Sequence, residues 1–377
     1  MPVVIFLSII LGLLLFQAII YKKRALSNLD VSVHFSSSIV SCGDLITITE
    51  SIANRKALPL PWVLLKFEAS RGLDFLDMTN TAKSDHYYRE DLLSLGMWQR
   101  HDRHIRVHCA RRGYFCFVRL AVSTRDLLLL TRIAANFPCE STLIVLPEIV
   151  RAPEISTLFQ KFLGDSINKK SPVCDPFTFA GIREYQPWDP YRNINWKASA
   201  KNNTLMVNIN DKTNRREMTI LLNVMPFSLS KDYFILEKSI SLVLTWITMA
   251  VHESVPVRLI TNSMDILTDE SITTESGCSE DHIHQIGISL ARIDLTKRVD
   301  HFIPSIESVF DDDKEGMTYV VISPNTDTRL QKFLADRSSE GHAITWVLPY
   351  TSKQPPLLEQ VSSFTIPLEV INEGLRK

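Results

Sequence analysis

The 377-residue sequence has no surplus of charge of either sign: 41 Lys and Arg stand against 42 Asp and Glu, for a net charge of −1. A dedicated nucleic-acid binder needs a basic surplus to displace counterions from phosphates, so that class is excluded as a first reading. Cysteine is sparse, six residues with no two at Cys-x-x-Cys spacing, which argues against a zinc ribbon and a disulfide framework. The chain also lacks a glycine-rich phosphate loop ending in Lys-Ser/Thr, a Gly-x-Ser-x-Gly elbow and a His-Glu-x-x-His run, so common enzyme classes are without their signatures. What is present is apolar: 45% hydrophobic against 22% charged residues, enough to bury sizeable cores. The length predicts two to three domains.

Residues 3–20 read VVIFLSIILGLLLFQAII, eighteen positions without a charge, fourteen of them Ile, Leu, Val or Phe. As a helix they span about 27 Å, close to the hydrocarbon thickness of a bilayer. At about −0.4 kcal/mol per large apolar residue, insertion is favourable by on the order of −6 kcal/mol. Lys22, Lys23 and Arg24 follow at once and no basic residue precedes. A cleaved signal peptide has the opposite arrangement, with its basic residues first and small residues at the cleavage site. The pattern therefore predicts a single-pass anchor over residues 1–24 in the cytoplasmic (inner) membrane, with the bulk of the chain cytoplasmic. A reducing compartment also accounts for the absence of a disulfide pattern.

Residues 28–150 alternate and are punctuated by turn residues. VSVHF (31–35), LITITESI (45–52), VLLKFEA (63–69), RHIRVHC (103–109), YFCFVRLAVS (114–123) and TLIVLP (142–147) read as strands of an antiparallel β-sandwich-like domain. Within it, His101, His104 and His108 invite a metal reading, but Arg106 shares their strand face and only Asp102 stands near as a further ligand, so hydrogen-bonded strand histidines are favoured. Arg111-Arg112-Gly113 reads as a hairpin corner or, alternatively, an anion site.

Residues 151–214 form a linker and signature segment. Its densest part, GIREYQPWDPYRNINWKASAKNNTLM from Gly181, is interrupted by Pro187 and Pro190, after which Tyr191 to Lys201 fits a helix with Asp189 as N-cap. On that helix Arg192, Asn195, Trp196 and Ser199 share one face. A polar stripe containing a Trp predicts burial, with Asp189 or Glu184 pairing Arg192, as a hydrogen-bonded staple between domains. The other reading of the stripe is a peptide-docking or anion-binding surface.

This stretch resembles the signature of the bacterial "domain of unknown function 58" family. That family shows a Gly-x-Arg-x-Tyr run, a Pro-Gly-Asp turn and Arg-x-Ile-x-Trp followed by Ser-Ala-Arg. Gly181, Arg183, Tyr185, Asp189, Arg192, Ile194, Trp196, Ser199 and Ala200 match it, while Trp188 replaces the usual Gly and Lys201 the usual Arg. The resemblance extends to Arg111-Arg112-Gly113-Tyr114, Arg125-Asp126 and Leu146-Pro147-Glu148. Such proteins usually open with two membrane helices, whereas a single span here implies an N-terminus outside the cytoplasm. The resemblance implies a C-terminal von Willebrand factor A-like domain, and association with MoxR-type AAA+ ATPases and transglutaminase-like membrane proteins in assembly or chaperone-like tasks.

Residues 215–377 read as that α/β, doubly wound domain. MTILLNV (218–224), VPVRLIT (255–261), TYVVIS (318–323) and AITWVLP (343–349) are strands, alternating with helices over 235–253, about 280–295 and about 327–338. Von Willebrand factor A-like domains often hold a divalent metal with an Asp-x-Ser-x-Ser run after the first strand. Asn223, Met225 and Phe227 occupy those positions, and Met and Phe cannot serve a hard cation, so no metal is expected. Ligands are instead expected in the crevice beyond the strand ends, near Pro226, Asn262 and Ser323 to Asn325. Asp311-Asp312-Asp313 reads as a solvated loop, and Cys278, His282 and His284 lack a fourth partner.

The expectation is a membrane-anchored, non-enzymatic scaffold with no cofactor and no nucleic-acid partner. Its signature positions Gly181, Arg183, Tyr185, Asp189, Arg192, Asn195, Trp196 and Ser199 would serve structure or docking. The alternative is a hydrolase or ligand-binding enzyme using Arg183, Asp189, Arg192 and Ser199, a set that includes no histidine base for the serine. A third reading is metal-dependent adhesion through the α/β domain.

Overall fold

The computed structural model describes residues 2–69, 72–76, 81–83, 87–169, 174–186, 191, 194–212, 217–225, 233–297, 299, 301–311, 317–350, 361 and 363–369. Its contacts divide the chain into two compact units, Met1–Glu148 with Gly287–Ile293, and Ile149–Ile286 with Asp294–Lys377.

The first unit begins with α1 (Pro2–Arg24), whose apolar side chains from Val3 to Ile19 are almost all exposed. It is long and apolar enough to cross a membrane. The chain then builds two sheets. One has the order β1 (Leu29–Phe35), β3 (Leu45–Asn54), β8 (Arg100–Cys109), β5 (Leu73–Phe75), all antiparallel. The other has the order β2 (Ile39–Ser41), β10 (Arg132–Leu146), β9 (Gly113–Arg125), β4 (Leu60–Ala69), β7 (Tyr87–Leu95), β6 (Thr81–Lys83). Only β2 and β10 run parallel among these described pairs.

Period-two alternation sorts each strand's residues between core and solvent. Along β8, Ile105, Val107 and Cys109 are buried while His104 and Arg106 are exposed. Val33, Ile48, Val63, Leu65, Val107, Leu120, Val122, Leu143 and Val145, drawn from both sheets, share one core. Each such side chain contributes about 1.5–3 kcal/mol by leaving water. The Arg103 guanidinium of one sheet pairs with the buried Asp91 carboxylate of the other. Prolines coincide with irregular register: β4 shifts between Leu60 and Val63, around Pro61, and β10 shifts between Pro138 and Ser141. Gly113 takes φ +155° at the start of β9, but β8 and β9 belong to different sheets, so Arg111-Arg112-Gly113 is a crossing from one sheet to the other and not the hairpin corner expected.

The second unit contains a six-stranded sheet in the order β15 (Ser271–Thr273), β14 (Val257–Met264), β13 (Glu217–Leu222), β16 (Met317–Ile322), β17 (Ala343–Tyr350), β18 (Thr365–Glu369). All neighbours are parallel except β14 and β15. The chain moves outward in both directions from β13, which makes the gap between β13 and β16 the topological switch point. Helix α4 (Tyr233–His252) is apolar enough to span a membrane, yet two thirds of its apolar window is buried, because it is a core helix against β13. Helices α6 (Phe302–Asp311) and α7 (Thr328–Ser339) continue the alternation, and α5 (Glu280–Ala291) belongs to this unit over Glu280–Ile286.

Two features differ from expectation. The stretch read as a linker begins with helix α2 (Pro153–Lys169), whose Ile155, Phe159, Phe162 and Leu163 are buried. Phe159 and Phe162 each place their rings 5.4 Å from Trp246 of α4, so this helix belongs to the α/β core. Next comes a two-stranded ribbon of β11 (Cys174–Glu184) and β12 (Met206–Lys212), with α3 (Trp196–Asn202) between its strands.

Candidate functional site

The ribbon carries the signature. Gly181 stands opposite Ile209, Arg183 opposite Val207 and Glu184 opposite Met206. Beyond β11 the pairing continues, with the Tyr185 amide donating to the Leu205 carbonyl at 2.7 Å and Ile194 bridging Val207. The Tyr185 and Tyr191 rings stack at 5.9 Å between centroids. Asp189 and Arg192 lie outside the described residues, as do Pro187, Trp188 and Pro190.

Helix α3 starts later than expected. Because Ile194 is held in the ladder, Asn195 is the N-cap: it is extended (φ −87°, ψ 90°) and its side-chain oxygen accepts from the Ala198 amide at 3.0 Å. Asn195 also donates its own amide to the Met206 carbonyl at 2.8 Å. Ser199 completes the tie. Its hydroxyl donates to the Asn195 carbonyl at 2.8 Å and accepts from the Met206 amide at 2.8 Å. Asn195 and Ser199 are thus spent on pinning α3 to β12.

Trp196 corrects the expectation of a buried stripe. It is 68% exposed, and α3 buries none of its residues. A seven-residue helix fastened through backbone and caps needs no apolar face inward, so its Trp is left outward. Tyr191 is 75% exposed beside it in sequence, and Ile182 and Leu205 are exposed on the same ribbon. Ile182 falls between the motif positions and Leu205 beyond them; their signal in the sequence is a large apolar side chain in a mostly polar stretch. Arg183 is also exposed and donates to the Glu184 carbonyl at 3.0 Å.

The second candidate is the crevice at the strand ends. Asn223 follows β13, Asn262 lies near the end of β14 and Ser323 follows β16, and all three are buried. The Asn223 side-chain oxygen accepts from the Met225 amide (2.9 Å) and from the Asn262 side-chain amide (3.0 Å). Its NH2 group donates to the Ser323 hydroxyl at 3.0 Å, while the Asn262 oxygen accepts from the Val224 amide at 3.0 Å. Trp346 of β17 donates its indole N–H to the Ser323 carbonyl at 3.1 Å. The cluster joins three strand ends through neutral amides and a hydroxyl. Phe227 and Pro226 lie outside the described residues.

The remaining candidates have ordinary surroundings. His104 shares a 3.2 Å hydrogen bond with the Thr49 hydroxyl, and a ring nitrogen of His282 lies 2.8 Å from the Val257 carbonyl. Asp102 is held below the usual carboxylate range by hydrogen bonds from Ser51 and Arg100. Asp311 pairs with Arg337, and Asp312 and Asp313 lie outside the described residues. Among the described residues no group of three or more His, Cys, Asp or Glu side chains gathers where it could hold a metal ion.

No family model matches the chain. A stretch of 203 residues is 22% identical to "Uncharacterized protein YeaD" of Bacillus subtilis (strain 168), over 52% of this chain and 48% of that protein. The chain therefore spans about half the length of the curated relative it matches. Among solved structures, a non-cellulosomal cohesin from Archaeoglobus fulgidus is 10% identical and is covered over 97% of its length by 34% of this chain, with a TM-score of 0.22. A CARDB domain from Pyrococcus furiosus is 14% identical and is covered over 93% of its length by 31% of this chain, with a TM-score of 0.19.

Proposed function

We propose that this chain is a membrane-anchored, non-enzymatic interaction protein that docks partners through the β11–α3–β12 ribbon. The observation that carries the reading is a division of labour within the signature. The polar groups of Asn195 and Ser199 are consumed by backbone hydrogen bonds, while Trp196 and Tyr191 stand in solvent. Exposed aromatics on a rigid support supply binding energy at small cost in conformational entropy.

The partners are a MoxR-type AAA+ ATPase and a transglutaminase-like membrane protein, in assembly or chaperone-like tasks. Helix α1 anchors the chain once in the cytoplasmic membrane, with Lys22, Lys23 and Arg24 holding the body on the cytoplasmic side. The α/β unit is read as von Willebrand factor A-like; a parallel sheet with an antiparallel edge strand is compatible with this. The hydrolase reading is weaker because the Ser199 hydroxyl already donates to one backbone group and accepts from another, and among the described residues no histidine is bonded to it. Metal-dependent adhesion is disfavoured because the Asn223 oxygen, its one plausible ligand, already accepts two hydrogen bonds.

The test is affinity capture of the detergent-solubilised full chain. An AAA+ ATPase should co-purify reproducibly with the native chain and be lost from a folded Tyr191→Ala/Trp196→Ala variant. Absence of any such ATPase from native captures would remove the partner assignment, and retention by the double variant would remove the ribbon from it.

A further inference from the structure

The end of the β-sandwich unit where α1 enters carries an unusual apolar display. Helix α1 runs into the unit without slack: Tyr21 and Ala25 are buried, and the Tyr21 hydroxyl donates to the Pro59 carbonyl at 2.8 Å. Three loops gather around this foot. In the loop after β3, the Arg55 amide donates to the Asn28 carbonyl and the Lys56 ammonium to the Ser27 carbonyl. In the β7–β8 turn, the Trp98 amide donates to the Lys56 carbonyl. The β9–β10 turn follows Thr124, which pairs with Val63 of β4 and whose hydroxyl donates to the Trp62 carbonyl at 2.7 Å, three residues beyond Pro59.

The β9–β10 turn reads Leu127-Leu128-Leu129-Leu130, and these leucines are between 46% and 79% exposed. This is a built tip. Buried Asp126 accepts from the Leu130 and Thr131 amides at 2.7 and 3.0 Å, and Leu129 is held at φ +60°, a conformation leucine rarely adopts. Met97 and Trp98, at 60% and 70% exposure, stand on the neighbouring turn. Strand β9 runs from Gly113 to Arg125 and reaches Val63 of β4 at Thr124, so its turn lies at the end of the unit where Tyr21 is bonded to Pro59. Lys22, Lys23 and Arg24 are exposed on the last turn of α1, and Arg132 is exposed just after the leucines.

We propose that the Leu127–Leu130 tip, with Met97 and Trp98, lies in the headgroup and upper acyl region of the bilayer that α1 enters, as a second membrane contact of the β unit. The inference rests on the reading of α1 as a membrane span. Lipid is the occupant because the tip is continuous with the foot of α1. The surrounding composition is also that of an interfacial site: leucines that enter the acyl boundary, a Trp at headgroup depth, and basic side chains that reach anionic headgroups.

The experiment places an environment-sensitive fluorescent amino acid at position 128, 45 or 11 of the full chain in vesicles of phosphatidylcholine and phosphatidylglycerol. Leu45 is the control: it is the more exposed of the two, at 65% against 46% for Leu128, but it pairs with His108 about 27 Å along the sheet from Ala53 at the foot. Exposure at these positions lets each variant fold. Shallow spin-labelled lipid should quench the probe at 128 several times more than at 45, with blue-shifted emission, and deep spin-labelled lipid should quench it at 11. Quenching at 11 with equal signals at 128 and 45 would overturn the second contact and leave the anchor standing. No quenching at 11 would overturn the anchor and, with it, this inference. A blue shift at 128 that is insensitive to the spin label and lost on dilution would mean that another protein copy covers the tip, which also overturns the proposal.

Discussion

Asn262 donates its side-chain amide to the side-chain oxygen of Asn223 across 3.0 Å, tying the ends of two neighbouring parallel strands. This bond sits where a doubly wound sheet ordinarily opens its ligand crevice. Asn223→Ala removes the acceptor for both Asn262 and the Met225 amide and should cost about 2–4 kcal/mol, read as a lower midpoint in chemical denaturation. Calorimetry with magnesium or calcium should show no heat of binding to the native chain, and a clear binding isotherm would restore the adhesion reading.

Ser199→Ala deprives the Met206 amide of its acceptor, and Asn195→Ala removes the cap of α3. Each should cost about 1–2 kcal/mol of local stability. Amide hydrogen exchange should accelerate at Met206 in the first and at Ala198 in the second, while Asn195→Asp keeps protection at Ala198. Unchanged exchange in both would mean that these bonds do not hold the ribbon.

Trp196→Ala and Tyr191→Ala should behave oppositely. Both side chains are mostly in solvent, so stability should stay within about 0.5 kcal/mol of native. Loss of captured partner without a shift in melting temperature is the expected pair of results.

Phe159→Ala should undock α2 from the α/β core. The ring meets Trp246 edge to face at 5.4 Å and is buried, so the loss should be about 3–5 kcal/mol. Limited proteolysis should then cut within 153–169 before the sheet is digested. A protease-resistant α2 in the variant would show that the Trp246 contact is not what holds it.

Burial, with the negative potentials of Asp44 and Cys42 adding to it, pushes the Cys109 thiol from its usual 9.0 up to about 11. At pH 8 such a group is about 0.1% thiolate. Iodoacetamide should therefore modify exposed Cys116 and Cys278 and spare Cys109. Because the folded value lies above the unfolded one, the thiol's contribution to stability is complete below the unfolded value of 9.0. It declines as pH rises towards 11, which denaturation midpoints across that window would register.

Some of this architecture is plain in the residues. The β13, β14, β16 and β17 strands are continuous apolar runs because helices cover a parallel sheet, and α4 shows its buried stripe at helical spacing. Helix α2 has the same spacing at Ile155, Phe159, Phe162 and Leu163, but Pro153 and Pro172 bracket it and make the segment resemble a connector. Strand β7 is concealed by Arg89, Glu90 and Asp91; the buried carboxylate at position 91 pairs with Arg103, which reaches it from the other sheet. In the ribbon, the motif pointed to Asn195, Trp196 and Ser199 but not to which would face inward. That depends on Ile194 pairing with Val207, a contact between residues thirteen apart that local periodicity does not encode.

The bond between Tyr21 and Pro59 has a mechanical consequence. With Tyr21 and Ala25 both packed, there is no swivel between α1 and the first β unit, so tilt or rotation of the helix turns the sandwich with it. A partner gripping this unit would therefore feel the attitude of the helix directly, as a hand on a lever feels the fulcrum.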